Sequence, residues 1–168
     1  MSAPIHFYVN GRAASCSAEE SDMSLLEFLH ERLHLSGTKF GCGAGLCRAC
    51  TVALKRPGQT LEKASACSLQ VSALAGVEVQ TVEGLGNADA LAPLQQAFLD
   101  HFAFQCGYCT PGFLMAASVL LARLKQKPVP AAQLDQLILQ ALGENICRCT
   151  GYVRYLDAVR EVARQYVK

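Results

Sequence analysis

The sequence predicts an α+β protein in two parts, a small mixed sheet-and-helix domain followed by a four-helix bundle. Three observations point there. Residues 5–16, "IHFYVNGRAASC", carry strand-like runs on either side of Asn10-Gly11, a strong two-residue hairpin turn. The composition changes after Val82, and the long segments beyond residue 90 are apolar on a helical period. Eight of nine cysteines fall into two groups of four, one in each half, with Cys16 apart.

The elements follow in order. Residues 5–9 and 12–16 are the two arms of the hairpin. "SLLEFLHERL" (24–33) places Leu25, Leu26, Phe28, Leu29 and Leu33 on one helical face, and Ser24 with Glu27 makes a capping box at its start. "CTVALK" (50–55) and "VEVQTV" (77–82) read as strands, with a turn at Pro57-Gly58 and an extended hairpin over "KRPGQTLEKA" (55–64). "EGLGNADA" (83–90) is a short linker without period. Helices are expected over 91–102, 111–125, 131–142 and 152–167, with "KPVP" (127–130) as a break and Gly143 as the C′ residue of the third.

Composition narrows the function. The chain is 51% apolar and 17% charged, which is globular and not disordered. A net charge of +1 provides no basic field for nucleic acid. No apolar run is long enough to span a membrane. The opening "MSAPIHFYVN" lacks the charged and apolar regions of a secretory signal, so a cytoplasmic chain is expected. The alternative is a periplasmic chain co-exported with a signal-bearing partner. In a reducing compartment nine cysteines do not form a disulfide framework, and an odd count pairs poorly. Two groups of four point instead to two metal centres.

The first group is Cys42, Cys47, Cys50 and Cys67. Its spacing, C-x4-C-x2-C and a distant fourth, is that of plant-type [2Fe–2S] ligands. The loop "GCGAGLCRAC" (41–50) has little bulk because three thiolates must bend around a small anionic group, and Gly41, Gly43 and Gly45 leave the approach open. Structural zinc pairs closer knuckles, and buried thiols used as small hydrophobes need no such loop. Cys16, in a strand, is read as a core residue. The second group is Cys106, Cys109, Cys147 and Cys149. Each of its pairs precedes a helix, with Thr110 and Thr150 as N-caps and Pro111 at the first helical position. Two helix N-termini converging there would favour an anionic centre, but four thiolates around zinc are anionic too, so convergence does not choose the metal. The run C-x2-C-x2-C-x3-C-P of a [4Fe–4S] centre is absent. With the first group beside it, a second [2Fe–2S] is the better reading.

Four stretches carry a resemblance: "GTKFGCGAGLCRACTV" (37–52), "ACSLQVSALAGVEVQTVEGL" (66–85), "FQCGYCTPGFLM" (104–115) and "ENICRCTGYVRY" (144–155). In this order they resemble the small iron–sulfur subunit of the molybdenum hydroxylases, the family of xanthine dehydrogenase, aldehyde oxidoreductase and the N-heterocycle oxidoreductases. The resemblance implies a plant-ferredoxin-like β-grasp domain at residues 1–83 and a four-helix domain at 84–168. It implies an outer [2Fe–2S] cluster on Cys42, Cys47, Cys50 and Cys67, and an inner one on Cys106, Cys109, Cys147 and Cys149. Gln105 and Cys149 are expected beside the pterin of a molybdopterin cofactor, in a dinucleotide form, that a large partner subunit binds. No P-loop or Rossmann glycine pattern is present, so substrate chemistry is expected on that partner, acting on an aldehyde or an N-heterocycle. Electrons would leave singly through the two clusters to a flavin or cytochrome acceptor. The rival functions are a free ferredoxin-type shuttle, against which the near-neutral charge and the second domain argue, and a colourless zinc module. Two departures from the family stand out: Arg48 replaces the usual Gly, and the gap from Cys50 to Cys67 is long. A cation at Arg48 beside the outer cluster would raise its potential, or else point to solvent.

Overall fold

In the computed structural model, which describes residues 4–168, the first half of the chain builds one sheet from five strands. They are β1 (Ile5–Val9), β2 (Arg12–Cys16), β3 (Thr51–Lys55), β4 (Glu62–Ser65) and β5 (Glu78–Gln80), in the order β2-β1-β5-β3-β4. Asn10 and Gly11 have φ of 50° and 76°, the pair of left-handed residues that a tight hairpin matching the strand twist requires. That turn sets the antiparallel register of β1 on β2, with His6 opposite Ser15 and Tyr8 opposite Ala13. The expected hairpin after β3 is present, pairing Thr51 with Ser65 and Leu54 with Glu62. β1 and β5 run parallel and the remaining neighbours antiparallel.

Helix α1 (Leu25–Glu31) lies across this sheet. Ser24 accepts the Glu27 N–H at 3.2 Å, the forward half of the expected cap. Its face of Leu25, Leu26, Phe28 and Leu29 is buried with Phe7, Val9, Val52, Leu54 and Val79, and Phe28 meets Phe7 at 5.4 Å between ring centroids. A mixed sheet gripping one helix is the ferredoxin-like β-grasp expected. Cys16 is buried in this core, as a strand thiol should be.

After a short turn at Val82–Gly84, four helices follow: α2 (Pro93–Asp100), α3 (Thr110–Gln126), α4 (Leu134–Leu142) and α5 (Val153–Ala163). Their shared core includes Phe98, Phe113, Leu120, Ile138, Leu142, Tyr155 and Val159. Three expectations at the helix ends are corrected. Thr150 is not the N-cap of α5, since the left-handed Tyr152 takes that position. Gly143 is right-handed at φ −62°, so it ends α4 without the left-handed C′ turn; its position is constrained instead by Leu139 O, 2.6 Å from where a Cβ would stand. Thr110 is not an N-cap: Cys109 takes that position, and the Thr110 hydroxyl is turned inward to Tyr155. Among the described residues no helix is long and apolar enough to cross a membrane.

The two halves meet along α3. β3 is buried on both faces: Val52 and Leu54 face α1, while Ala53 packs with Met115 and Val119 of α3. The small Ala53 lets the helix lie close to the sheet. This contact brings the start of α3, and the cysteines around it, next to the loop before β3.

Candidate metal centres

The loop before β3 presents its thiols to backbone donors. Cys42 Sγ accepts from the N–H groups of Ala44, Leu46 and Cys47 at 3.4, 3.3 and 3.4 Å. Gly45 N–H donates to Cys67 Sγ at 3.3 Å, and Cys67 N–H to Cys50 Sγ at 3.5 Å. A chain that aims so many N–H groups at sulfur must turn tightly. Gly43 and Gly45 both have φ of +69°, and a Cβ on Gly45 would lie 2.9 Å from Ser68 Oγ. The third loop glycine, Gly41, serves by close approach, its Cβ position being 2.8 Å from Cys47 Sγ.

Electrostatics follow the donors. The N–H groups of Cys47 and then Ala44 hold the exposed Cys42 thiol down to about 6. Burial pushes the Cys50 thiol up to about 11, against the Cys67 N–H that favours its thiolate. Cys42 neighbours Cys47 and Cys50 neighbours Cys67, and the Cys47 thiol also acts on Cys50.

The second group also has such neighbours. Cys149 Sγ lies 3.6 Å from Cys106 Sγ, and Cys109 pairs with Cys147. The donors differ in kind. Thr150 Oγ1 donates to Cys147 Sγ at 3.1 Å, and the Tyr155 hydroxyl lies 3.5 Å from Cys109 Sγ. Burial pushes Cys109 up to about 11. Burial also acts to raise Cys147, but the Thr150 hydroxyl and the N–H groups of Cys149 and Thr150 outweigh it and set that thiol below its ordinary value. Cys149 is raised by the neighbouring Cys106. Tyr155, in the first turn of α5, bridges to the first turn of α3 through Thr110 and Cys109, so the two helix starts do converge.

The two thiol groups are joined directly. Ile146 N–H donates to the Cys47 carbonyl at 3.0 Å, so a single hydrogen bond separates Cys47 from the peptide preceding Cys147. The buried Asn145 donates to the Arg48 carbonyl at 3.1 Å, and Tyr108 donates to the Phe40 carbonyl at 2.6 Å. Gly112 is required here, since its Cβ would lie 2.4 Å from Arg48 O. Lys63 reaches from β4 to the Ala141 carbonyl at the end of α4, at 2.6 Å.

Arg48 belongs to this seam. Its φ of +59° is left-handed, which is why glycine suits the position. Its guanidinium donates to Ser65 Oγ at 2.8 Å and faces Glu144 Oε2 at 3.3 Å. The expected choice between a cation beside the thiols and one in solvent is therefore replaced by a third, an inter-domain tie whose charge Glu144 balances. Gln105 is exposed at the surface beside the exposed Cys106, with Cys149 next to that cysteine. Asn145, Thr150 and Tyr155 carry no functional role in the sequence pattern. For Asn145 a polar residue adjoining "ICRC" was a usable signal; for Tyr155, on the apolar side of a helix, there was none.

Among the described residues no three Cys, His, Asp or Glu side chains are placed to hold one metal ion. Four thiols in each half, with hydrogen-bond donors aimed at sulfur, suit an anionic group larger than a single ion, with soft metal atoms. Fold and donor set together define a chain with two iron–sulfur binding domains. The comparisons with known proteins agree. Residues 7–72 match the 2Fe-2S iron-sulfur cluster binding domain, and residues 81–160 match the [2Fe-2S] binding domain. The chain is similar to a nicotinate dehydrogenase subunit from Pseudomonas putida, 41% identical over 97% of this chain and 96% of that one. It is equally similar, 41% over 94% of its length, to aldehyde oxidase 1 of Rattus norvegicus, of which it spans 12%. In structure it resembles quinoline 2-oxidoreductase from Pseudomonas putida 86, with a TM-score of 0.79, 33% identity, and 97% and 96% of the two chains covered. The protein belongs to the family of small iron–sulfur subunits of the molybdenum hydroxylases.

Proposed function

We propose that this chain is the electron-transfer subunit of a molybdenum-dependent oxidoreductase, carrying electrons singly away from a molybdopterin site on a large partner. The observation that supports it best is the gathering of four thiols in each half with hydrogen-bond donors at sulfur, the two gatherings joined by the Cys47–Ile146 hydrogen bond. Each neighbouring pair would serve one iron of a [2Fe–2S] group: Cys42 with Cys47 and Cys50 with Cys67 outside, Cys106 with Cys149 and Cys109 with Cys147 inside. Such a group supplies one-electron redox chemistry when bound. The chain's residues do the rest. Glycines and backbone N–H groups hold the outer thiolates, while Thr150 and Tyr155 serve the inner pair that burial keeps from water. The seam holds the two thiol groups at a fixed, short separation.

The division at residues 83 and 84 belongs to the same reading, supported by the turn at Val82–Gly84 between sheet and bundle; residues 1–3 of the first domain lie outside the described residues. Gln105 and Cys149 would face the partner's pterin, in a dinucleotide form. The support is their exposure, beside an apolar rim where Phe102, Tyr108 and Val153 are 75%, 52% and 64% exposed. Gln offers both a donor and an acceptor to a planar heterocycle. The substrate class is an aldehyde or an N-heterocycle, the classes named for nicotinate dehydrogenase, quinoline oxidoreductase and aldehyde oxidase. A flavin or cytochrome would take the electrons at the outer end. Reading eight cysteines as metal ligands and not as a disulfide framework suits a cytoplasmic setting.

Native purification tests this. Iron and molybdenum should elute in one complex whose visible absorption bleaches when an aldehyde or N-heterocycle is added without oxygen. A chain eluting alone, with iron and no molybdenum, would overturn the subunit reading in favour of a diffusible shuttle.

A further inference from the structure

Tyr155 is the largest side chain among the fully buried residues, at 0% exposure, and it stands in the first turn of α5 against the N-terminus of α3. Its ring stacks on Phe113, with centroids 4.2 Å apart and planes 3° from parallel, and meets Phe98 at 5.4 Å. A phenylalanine would fill that space as well. The hydroxyl needs a reason, because burying it without a partner is costly. It has two partners: Thr110 Oγ1 at 2.9 Å and Cys109 Sγ at 3.5 Å.

The proton positions follow from the Cys109 reading above, on which this inference rests. A thiolate bound to metal has no proton and can only accept. Among the described residues Tyr155 is the one hydrogen-bond partner of the Thr110 hydroxyl. One arrangement then uses every proton: Thr110 Oγ1–H donates to Tyr155 Oη, and Tyr155 Oη–H donates to Cys109 Sγ. Reversed, it would leave the Thr110 proton without an acceptor in a buried site.

We propose that Tyr155 is a positioning residue that raises the reduction potential of the inner centre by donating this hydrogen bond to Cys109. On uptake of one electron the sulfur gains negative charge, the tyrosine proton stays on its oxygen, and the bond strengthens. A donor that favours the reduced form makes reduction easier. Ring stacking fixes the hydroxyl in advance, so no reorganisation is needed when the electron arrives. Among the described residues the donors to the outer thiols are backbone N–H groups, so the effect is confined to one centre.

The test is Tyr155→Phe in the full chain, titrated with reductant and followed by electron paramagnetic resonance. Iron content should stay the same and the outer midpoint should not move. The inner midpoint should fall by the equivalent of a roughly tenfold weaker reduction, about 59 mV for one electron. Thr110→Val, which removes the upstream donor, should move the same midpoint less in the same direction. An unmoved inner midpoint in Tyr155→Phe overturns the proposal. If that variant loses the inner signal altogether, Thr110→Val decides, and an unmoved midpoint there overturns it. Failure of the underlying ligand reading would show separately, as a missing second signal in the unaltered chain.

Discussion

The two thiol groups serve one purpose by different local means. Around Cys42, Cys50 and Cys67 the donors to sulfur are backbone N–H groups, from a glycine-bent loop and, for Cys50, from Cys67. Around Cys109 and Cys147 they include hydroxyls, from Tyr155 and Thr150, set by two helices that start face to face. At Cys42 the device is local, every donor lying within five residues of it, while Gly45 reaches Cys67 across 22 residues. In the inner group Thr150 lies three residues from Cys147, but Tyr155 reaches Cys109 across 46 residues of chain. A backbone amide survives every side-chain change except one to proline, whereas a hydroxyl is lost in many. The outer group is thus robust to most substitutions apart from its glycines, and the inner group can be tuned one atom at a time.

Loss of single thiols should separate the two regions most sharply. Cys109→Ser should remove roughly half of the bound iron and block electron exit from the partner's site, while Cys42 to Cys67 still hold theirs; Cys42→Ser should do the converse. Iron analysis of both variants checks this, and normal turnover in Cys109→Ser would contradict the inner assignment. The seam comes next. Gly112→Ala places a Cβ against the Arg48 carbonyl, and the overpacking should lower stability by about 1–3 kcal/mol, read as a fall in Tm. An unchanged Tm would mean that the halves are not held in contact there.

Thiol reactivity gives a smaller, graded contrast. In the metal-free, reduced chain Cys42, lowered to about 6, is a thiolate at neutral pH and should alkylate ahead of Cys50 and Cys109, both raised to about 11. Because only the thiolate reacts, labelling of Cys42 should fade as pH falls through about 6, and labelling of the other two should grow only at strongly alkaline pH. Equal rates at pH 7, read by mass spectrometry of digests, would remove the distinction. The smallest effect is expected at Arg48. Changing it to Gly relieves a left-handed cost of about 1–2 kcal/mol but loses a half-exposed ion pair worth about 0–1 kcal/mol and the Ser65 hydrogen bond worth about 1 kcal/mol. Stability should therefore stay within about 1 kcal/mol of the parent, with the outer midpoint unmoved because Glu144 already balances the charge. A clear drop in that midpoint would show the cation acting on the sulfurs.

The same contrast explains what could be read from the chain. The hairpin at Asn10-Gly11, the α1 stripe from Leu25 to Leu29 and the four helices are local patterns, and each lies within a few residues of its expected span. The eight cysteines and the loop glycines were legible for the same reason. Thr110 departs from expectation because its preference for an N-cap yields to a buried partner supplied by another helix. Gly143 departs similarly, since the last turn of α4 leads directly into the seam at Asn145 and Ile146. Arg48 was ambiguous because Ser65 meets it only once β4 has paired with β3, and Glu144 only after the two halves have docked.

The central claim is that each half of the chain binds its own iron pair. Full reduction of the freshly isolated protein, followed by electron paramagnetic resonance at several temperatures, tests it most directly. Two distinct one-electron species of equal intensity are expected, the inner and outer environments being so different. A single species, or a colourless protein with no signal, would contradict it.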